Sequence, residues 1–235
     1  MRIDILTLFP EMFTPLTESI IGRAIKSGKV EIVVTDIRDY TENKHRKCDD
    51  YPFGGGAGMV MTPQPIYSAV QAVDPNHEAR RIFMSPKGRR FCQGMVSELL
   101  SYDRILLLCG HYEGVDQRVL DEIADEEISV GDYVLTGGEL PACILVDAVS
   151  RLCDGVLSDS VCYEEESIAS GLLEYPQYTR PLCYHGVEVP AVLRSGHHEN
   201  IEAWRLKQSL ALTKERRPDL YETYLAKSSE EATKD

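Results

Sequence analysis

The residues best placed to do chemistry stand in glycine-rich stretches. Residues 129–141 read Ser-Val-Gly-Asp-Tyr-Val-Leu-Thr-Gly-Gly-Glu-Leu-Pro, so three glycines and a proline interrupt the chain where apolar β-type residues meet a helix. Gly131, Gly137 and Gly138 are expected to take positive φ and let another group approach the bare main chain, which suits a flat ligand. An ordinary strand-turn-helix connection would use the same residues. A second loop of this kind lies upstream, Gly110-His111-Tyr112-Glu113-Gly114, and favours a site. A third run, Gly54-Gly55-Gly56-Ala57-Gly58, ends a long polar loop over residues 36–62; it fits either an anion nest of backbone N–H groups or a hinge.

Other chemistries lose their support. No Gly-x-Gly-x-x-Gly and no Gly-x-x-x-x-Gly-Lys-Ser/Thr occurs, which removes the usual dinucleotide and nucleoside-triphosphate fingerprints. Seven cysteines, at 48, 92, 109, 143, 153, 162 and 183, show no Cys-x-x-Cys spacing. Their odd number argues against a disulfide framework and for a reducing compartment. Cys109 and Cys143 sit in apolar runs and read as core residues. His197 and His198 have no spaced partner and read as loop residues, so no metal-cluster signature is present.

The elements that must position these loops alternate. Residues 3–9, 30–35, 81–85 and 105–109 read as strands. Residues 10–28 (Pro10 as start, Gly28 as stop), 65–73, 92–100 and 115–124 read as helices, and the apolar run 142–149 follows the glycine loop. Short β-rich runs separated by helices imply an α/β domain with a mostly parallel sheet covered on both faces. In such sheets the ligand crevice lies at the carboxyl ends of the strands. Those ends are residues 83–88, 110–114 and 129–141, so three loops converge on one edge. From Asn200, read as an N-cap, a helix follows with Ile201, Ala203, Trp204, Leu206 and Leu210 on its apolar side. Pro218 starts another. Trp204 is expected in the core.

The first residues are too polar for a signal sequence and no run of about 18 apolar residues occurs, so the expected location is the cytoplasm, with no membrane partner. A net charge of −13 argues against a nucleic-acid partner. Net charge is not local charge, however. Basic residues gather at Arg38, Lys44, Arg46 and Lys47, and at Arg194, Arg205, Lys207, Lys214, Arg216 and Arg217, while acids crowd residues 122–127 and 230–235. Each cluster also fits a plain solvated face.

Together, residues 49–59, Met84-Ser85-Pro86, residues 110–116, 129–141, 175–181 and Trp204-Arg205-Leu206-Lys207-Gln208-Ser209 resemble the bacterial tRNA (guanine-N1)-methyltransferases of the SPOUT class. The pieces span nearly the whole chain in the family's order. The resemblance implies S-adenosylmethionine as methyl donor and, as acceptor, N1 of the guanosine 3′ of the anticodon (position 37) of tRNA. It further implies a deep trefoil knot and a homodimer with the active site at the subunit interface. The implied domains are a knotted α/β donor-binding domain over 1–160, a flexible interdomain linker over 161–198 that orders on tRNA, and a small all-α tRNA-binding domain over 199–235. Tyr178-Thr179-Arg180-Pro181 in the linker mixes aromatic and cationic groups suited to bases and phosphates.

The donor is expected against Met84, Ser85, Pro86, Gly110, Tyr112, Glu113 and Gly114, and against Val130, Gly131, Asp132, Tyr133, Val134, Leu135, Thr136, Gly137, Gly138 and Pro141. Main chain would bond the adenine, Leu135 and Pro141 would wall it, and Glu113 is either a partner for a ribose hydroxyl or amino group or a plain surface carboxylate. Methylation of guanine N1 requires its proton to leave. Glu166 stands where the family carries Asp in Asp-Ser-x-x-x-Gly-Leu-Leu and is the expected base; Asp159 and Glu165 are the alternatives. Arg151 resembles the family's arginine that neutralises charge on guanine O6, and as a plain helix C-terminal cation it would satisfy the dipole. Clustered carboxylates leave room for Mg²⁺. A non-catalytic RNA-binding protein that kept the fold is the competing function.

Overall fold

The computed structural model describes residues 1–157, 167–168 and 170–232. It divides into two compact units, Met1–Ser158 and Asp159–Asp235. In the first, strands β1 (Arg2–Thr7), β2 (Glu31–Asp36), β5 (Arg80–Arg90), β6 (Arg104–Cys109) and β7 (Glu126–Ser129) form one sheet in the order β2-β1-β6-β5-β7. Every pairing in it is parallel. The short β3 (Asp49–Asp50) and β4 (Val60–Met61) make a separate antiparallel pair at the ends of the glycine loop.

Alternation along the inner strands assigns side chains to two layers. Ile3, Ile5, Ile105, Leu107, Ile82 and Met84 pack with helices α1 (Ser19–Lys26), α3 (Gln93–Leu99) and α5 (Glu139–Ser150). Leu6, Leu106, Leu108 and Phe83 pack with α2 (Pro63–Val73) and α4 (Gln117–Ile123). Both faces are therefore covered, as parallel sheets require, and each fully buried Ile or Leu contributes about 1.5–3 kcal/mol.

Three expectations about elements are corrected. The helix expected over 10–28 is a 3-10 segment, Pro10–Thr17, followed by α1. Pro15 lies inside the first piece and Glu18 is extended (φ −106°), so the helical ladder cannot run through. Residues 126–129, of which 126 and 127 read as part of an acidic crowd, are edge strand β7; Glu126 is paired with Arg80 at 3.0 Å and Arg89 at 3.5 Å. Strand β5 runs past Ser85 because its pairing to β7 resumes at Arg89 and Arg90 after a break at Met84. Residues 85–88 arch out of the sheet there, and a Cβ at Gly88 would sit 2.3 Å from the Glu127 carbonyl carbon.

The second unit holds the antiparallel pair β8 (Cys183–Tyr184) and β9 (Val187–Glu188), the 3-10 turn Ala191–Arg194, and helices α6 (His198–Arg216) and α7 (Pro218–Ala232). Helix α6 starts at His198, so Asn200 lies in its first turn and is not the N-cap. Its buried residues are Ser209 and Thr213, whereas Leu206 is half exposed and Trp204 only partly buried, 6.3 Å from the Tyr178 ring; the apolar stripe expected from periodicity is not the packing face. The reason is a polar junction. The Thr213 hydroxyl donates to Ser209 O (2.6 Å) and accepts the Leu173 N–H (2.8 Å), beside buried Leu172.

Candidate functional site

Strand β6 leaves the sheet at Cys109. The following loop turns sharply, with Tyr112 at φ +59° and the Gly114 N–H donating to His111 O at 3.2 Å. It is fixed from outside by β4 and the residues before it: the Glu113 N–H donates to Met59 O (3.0 Å) and the Met61 N–H to Gly114 O (2.9 Å). Strand β7 leaves at Ser129, whose hydroxyl donates to Gly131 O (3.0 Å) and accepts the Gly131 N–H (3.2 Å). The two loops then join. His111 and Gly137 form an antiparallel bridge, and the Gly138 N–H donates to Gly110 O at 2.8 Å.

Between these loops and the arch after Met84 lies a cavity of about 230 Å³. Met84, Ser85, Pro86, Gly110, Tyr112, Glu113, Gly114, Val130, Gly131, Tyr133, Val134, Leu135, Thr136, Gly137, Gly138 and Pro141 line it, so one space gathers nearly all the residues expected around the donor. Asp132 is not among them: its carboxylate is 88% exposed and lies 3.7 Å from Arg90. Phe83, His111, Ile128 and Ser129 line the cavity without having been singled out. Ile128 was missed because β7 went unrecognised, whereas Ser129 opened the glycine stretch without being assigned to the donor.

The glycines act differently from expectation. Neither Gly137 nor Gly138 has a positive φ. A Cβ on Gly137 would sit 2.3 Å from Glu139 Oε2 and 2.7 Å from His111 Nδ1, and one on Gly138 would sit 2.8 Å from Cys109 Cα. They are small so that a carboxylate, an imidazole and a neighbouring backbone can close in behind the cavity wall. Glu139 is only 1% exposed. The Thr7 hydroxyl, at the end of β1, donates to its Oε1 at 2.8 Å, while Oε2 lies 4.0 Å from His111 Nδ1. Burial pushes the adjacent Cys109 thiol well up, and the Glu139 charge adds to that. Cys109 is thus an inert core residue, whereas Cys143 is only partly buried.

The lining includes Glu113 and backbone polar groups against apolar walls, and no Lys or Arg among the described residues. Such a lining does not suit phosphate. It suits a ligand with an aromatic ring, hydrogen-bonding edges and positive charge. Arg151 stands elsewhere, at the C-cap of α5, whose first turn borders the cavity. At 1.5 Å rise per residue that is about 20 Å from Gly138, farther than its side chain spans. Glu166, Asp159 and Glu165 lie outside the described residues. Among the described residues no three His, Cys, Asp or Glu groups gather as a metal site, and no helix is long and apolar enough to cross a membrane.

The basic clusters separate into two kinds. Arg46 pairs with Asp39 and Asp36, Lys47 with Asp50, and Arg38 bonds Leu8 O and lies over the Phe9 ring, so this cluster is largely self-neutralised. In the second unit Arg194, Arg205 and Arg217 pair with Glu188, Glu202 and Asp219. Arg180, Lys207, Lys214 and Arg216 are exposed, with no carboxylate partner among the described residues.

The family model described as tRNA (Guanine-1)-methyltransferase TrmD matches residues 1–223. A protein of Ruminiclostridium cellulolyticum named tRNA (guanine-N(1)-)-methyltransferase is 57% identical over 224 residues, covering 94% of this chain and 96% of that protein. A protein of the same name from Alkaliphilus metalliredigens is 54% identical over 235 residues (98% and 95%), and one from Clostridium perfringens 55% over 222 (94% of each). With the match running through all three cavity loops and on into the second unit, the chain belongs to the tRNA (guanine-1)-methyltransferase family.

Proposed function

We propose that the chain performs its family's reaction with the cavity as the donor site, methylating N1 of the guanosine 3′ of the anticodon in tRNA. The observation that carries this reading is the convergence of three loops on one cavity walled by main chain and apolar side chains, with no Lys or Arg among the described residues. Backbone N–H and C=O groups of residues 130–138 would bond the adenine edge, with Leu135 and Pro141 as walls, and Glu113 would face a ribose hydroxyl or the amino group. Bound there, S-adenosylmethionine supplies an electrophilic methyl group on its sulfonium.

Glu166 takes the guanine N1 proton and Arg151 offsets negative charge developing on O6. Arg151 cannot reach the cavity of its own chain along α5, which supports a homodimer whose active site combines the cavity of one copy with Arg151 of the other. The exposed cations Arg180, Lys207, Lys214 and Arg216 would meet tRNA phosphates, with the second unit as the main tRNA-binding part. A knotted backbone accompanies this fold in the family, and the cytoplasm is the compartment where such a tRNA is met. We assign Mg²⁺ no residue; running the assay with and without it reads its effect.

The test is transfer of a labelled methyl group from S-adenosylmethionine to unmodified tRNA, compared with the same tRNA carrying adenosine at the acceptor position. Label in the first only is expected. Binding of both ligands without transfer would instead make this a fold-retaining RNA-binding protein.

A further inference from the structure

Among the described residues Glu139 is the one carboxylate buried behind the cavity wall, and a buried charge is costly unless it is paired. Only Oε1 has a bonded partner among those residues, the Thr7 hydroxyl. Oε2 faces His111 Nδ1 at 4.0 Å, and that nitrogen is itself buried with no hydrogen-bond partner. The unpartnered Nδ1 and Oε2 thus face each other across Gly137, which has no side chain to keep them apart. With Glu139 ionised they complement one another when the proton is on Nδ1, because a carboxylate accepts and cannot donate. The imidazole is otherwise held by rings: Phe9 at 4.7 Å and Tyr112 at 4.9 Å.

We propose that Glu139 is a positioning residue for the donor cavity, acting through His111: it holds the imidazole as the Nδ1–H tautomer and leaves Nε2 as a hydrogen-bond acceptor for an N–H or O–H of the donor. The inference rests on the reading of the cavity as the donor site. Thr7 anchors the chain of contacts to the sheet, Glu139 to the first turn of α5, and His111 to the loop after β6, so β1, α5 and that loop are tied at one point. The 4.0 Å separation closes to hydrogen-bonding distance when the donor is bound, as contacts in ligand-free sites commonly do.

The discriminating variant is Glu139→Gln, which keeps shape and an acceptor for Thr7 but turns an N–H₂ toward Nδ1. Nitrogen-15 NMR of labelled histidine, with the His111 signal assigned from His111→Phe, should show the proton on Nδ1 in the wild-type protein and on Nε2 in Glu139→Gln. The KM for S-adenosylmethionine should rise about tenfold, the worth of roughly one hydrogen bond, while kcat and the KM for tRNA stay within about threefold. A purely structural Glu139 predicts neither change. A wild-type His111 protonated on Nε2 alone, or a Glu139→Gln protein with unchanged tautomer or donor KM, overturns the proposal. Should Glu139→Gln fold poorly, His111→Phe keeps the ring packing and removes both nitrogens; unchanged donor affinity there overturns it equally. If Leu135→Asp abolishes donor binding while the His111 and Glu139 variants leave it intact, this inference alone falls. If the wild-type protein binds no S-adenosylmethionine, the donor-site reading falls with it.

Discussion

Replacing Gly138 by alanine puts a methyl group where backbone already stands. Its Cβ would lie 2.8 Å from Cys109 Cα and 3.0 Å from the Gly110 nitrogen, neither of which is the end of a flexible side chain. Relief requires β6 and the first turn of α5 to separate by roughly half an ångström, an overpacking strain of about 1–3 kcal/mol. The same movement stretches the 2.8 Å bond from the Gly138 N–H to Gly110 O beyond the favourable range, at about 1 kcal/mol more. With a urea m value of about 2 kcal/mol/M, the midpoint should fall by about 1–2 M. Because the displaced backbone is the cavity wall, donor affinity by calorimetry should drop at least about tenfold. Gly94→Ala is the control: it lies in α3 with nothing within 4 Å of its added Cβ, and should leave stability unchanged or raise it by up to about 1 kcal/mol. A Gly138→Ala protein as stable as Gly94→Ala, with unchanged donor affinity, refutes the reasoning.

Glu166→Gln should keep donor binding and cut the single-turnover methylation rate by about two to four powers of ten, with Glu166→Asp active; normal chemistry in the Gln variant would point to Asp159 or Glu165. Affinity for tRNA, measured by filter binding, should fall steeply with salt while donor affinity hardly moves, and Lys207→Ala or Arg216→Ala should each lower the salt slope by about 1. Burial alone would push the Asp74 carboxyl up, but hydrogen bonds and charge from Arg81, with the N–H groups of Glu78 and Ala79, outweigh it and hold the carboxyl below its usual range. Stabilisation from a depressed carboxyl is present above its unfolded value of about 3.9 and is lost as pH falls through the folded value. Asp74→Asn should therefore cost about 3 kcal/mol in urea unfolding at pH 7, by leaving Arg81 unpaired, and progressively less below about pH 4.

The alternating runs around Ile5, Leu107 and Ile82 announced the inner strands, because a period of two assigns side chains to faces whatever those faces later meet. The three loops were legible for a related reason: glycine and proline act locally, and strand ends in parallel sheets are where crevices form. What those glycines do was not legible. Gly137 and Gly138 were expected to provide unusual φ, yet they provide room for Glu139, His111 and the Cys109 backbone, partners that depend on strand order. Glu139 looked like the polar start of an apolar helix; its burial against Thr7, 132 positions away, arises because β1 and β6 are neighbours in the sheet. The face of α6 was misassigned for the same reason, since Thr213 is buried through its bond to Leu173 and not through hydrophobicity. Periodicity is a property of a segment, whereas pairing of polar groups across the chain is a property of topology, and only the tertiary structure decides it.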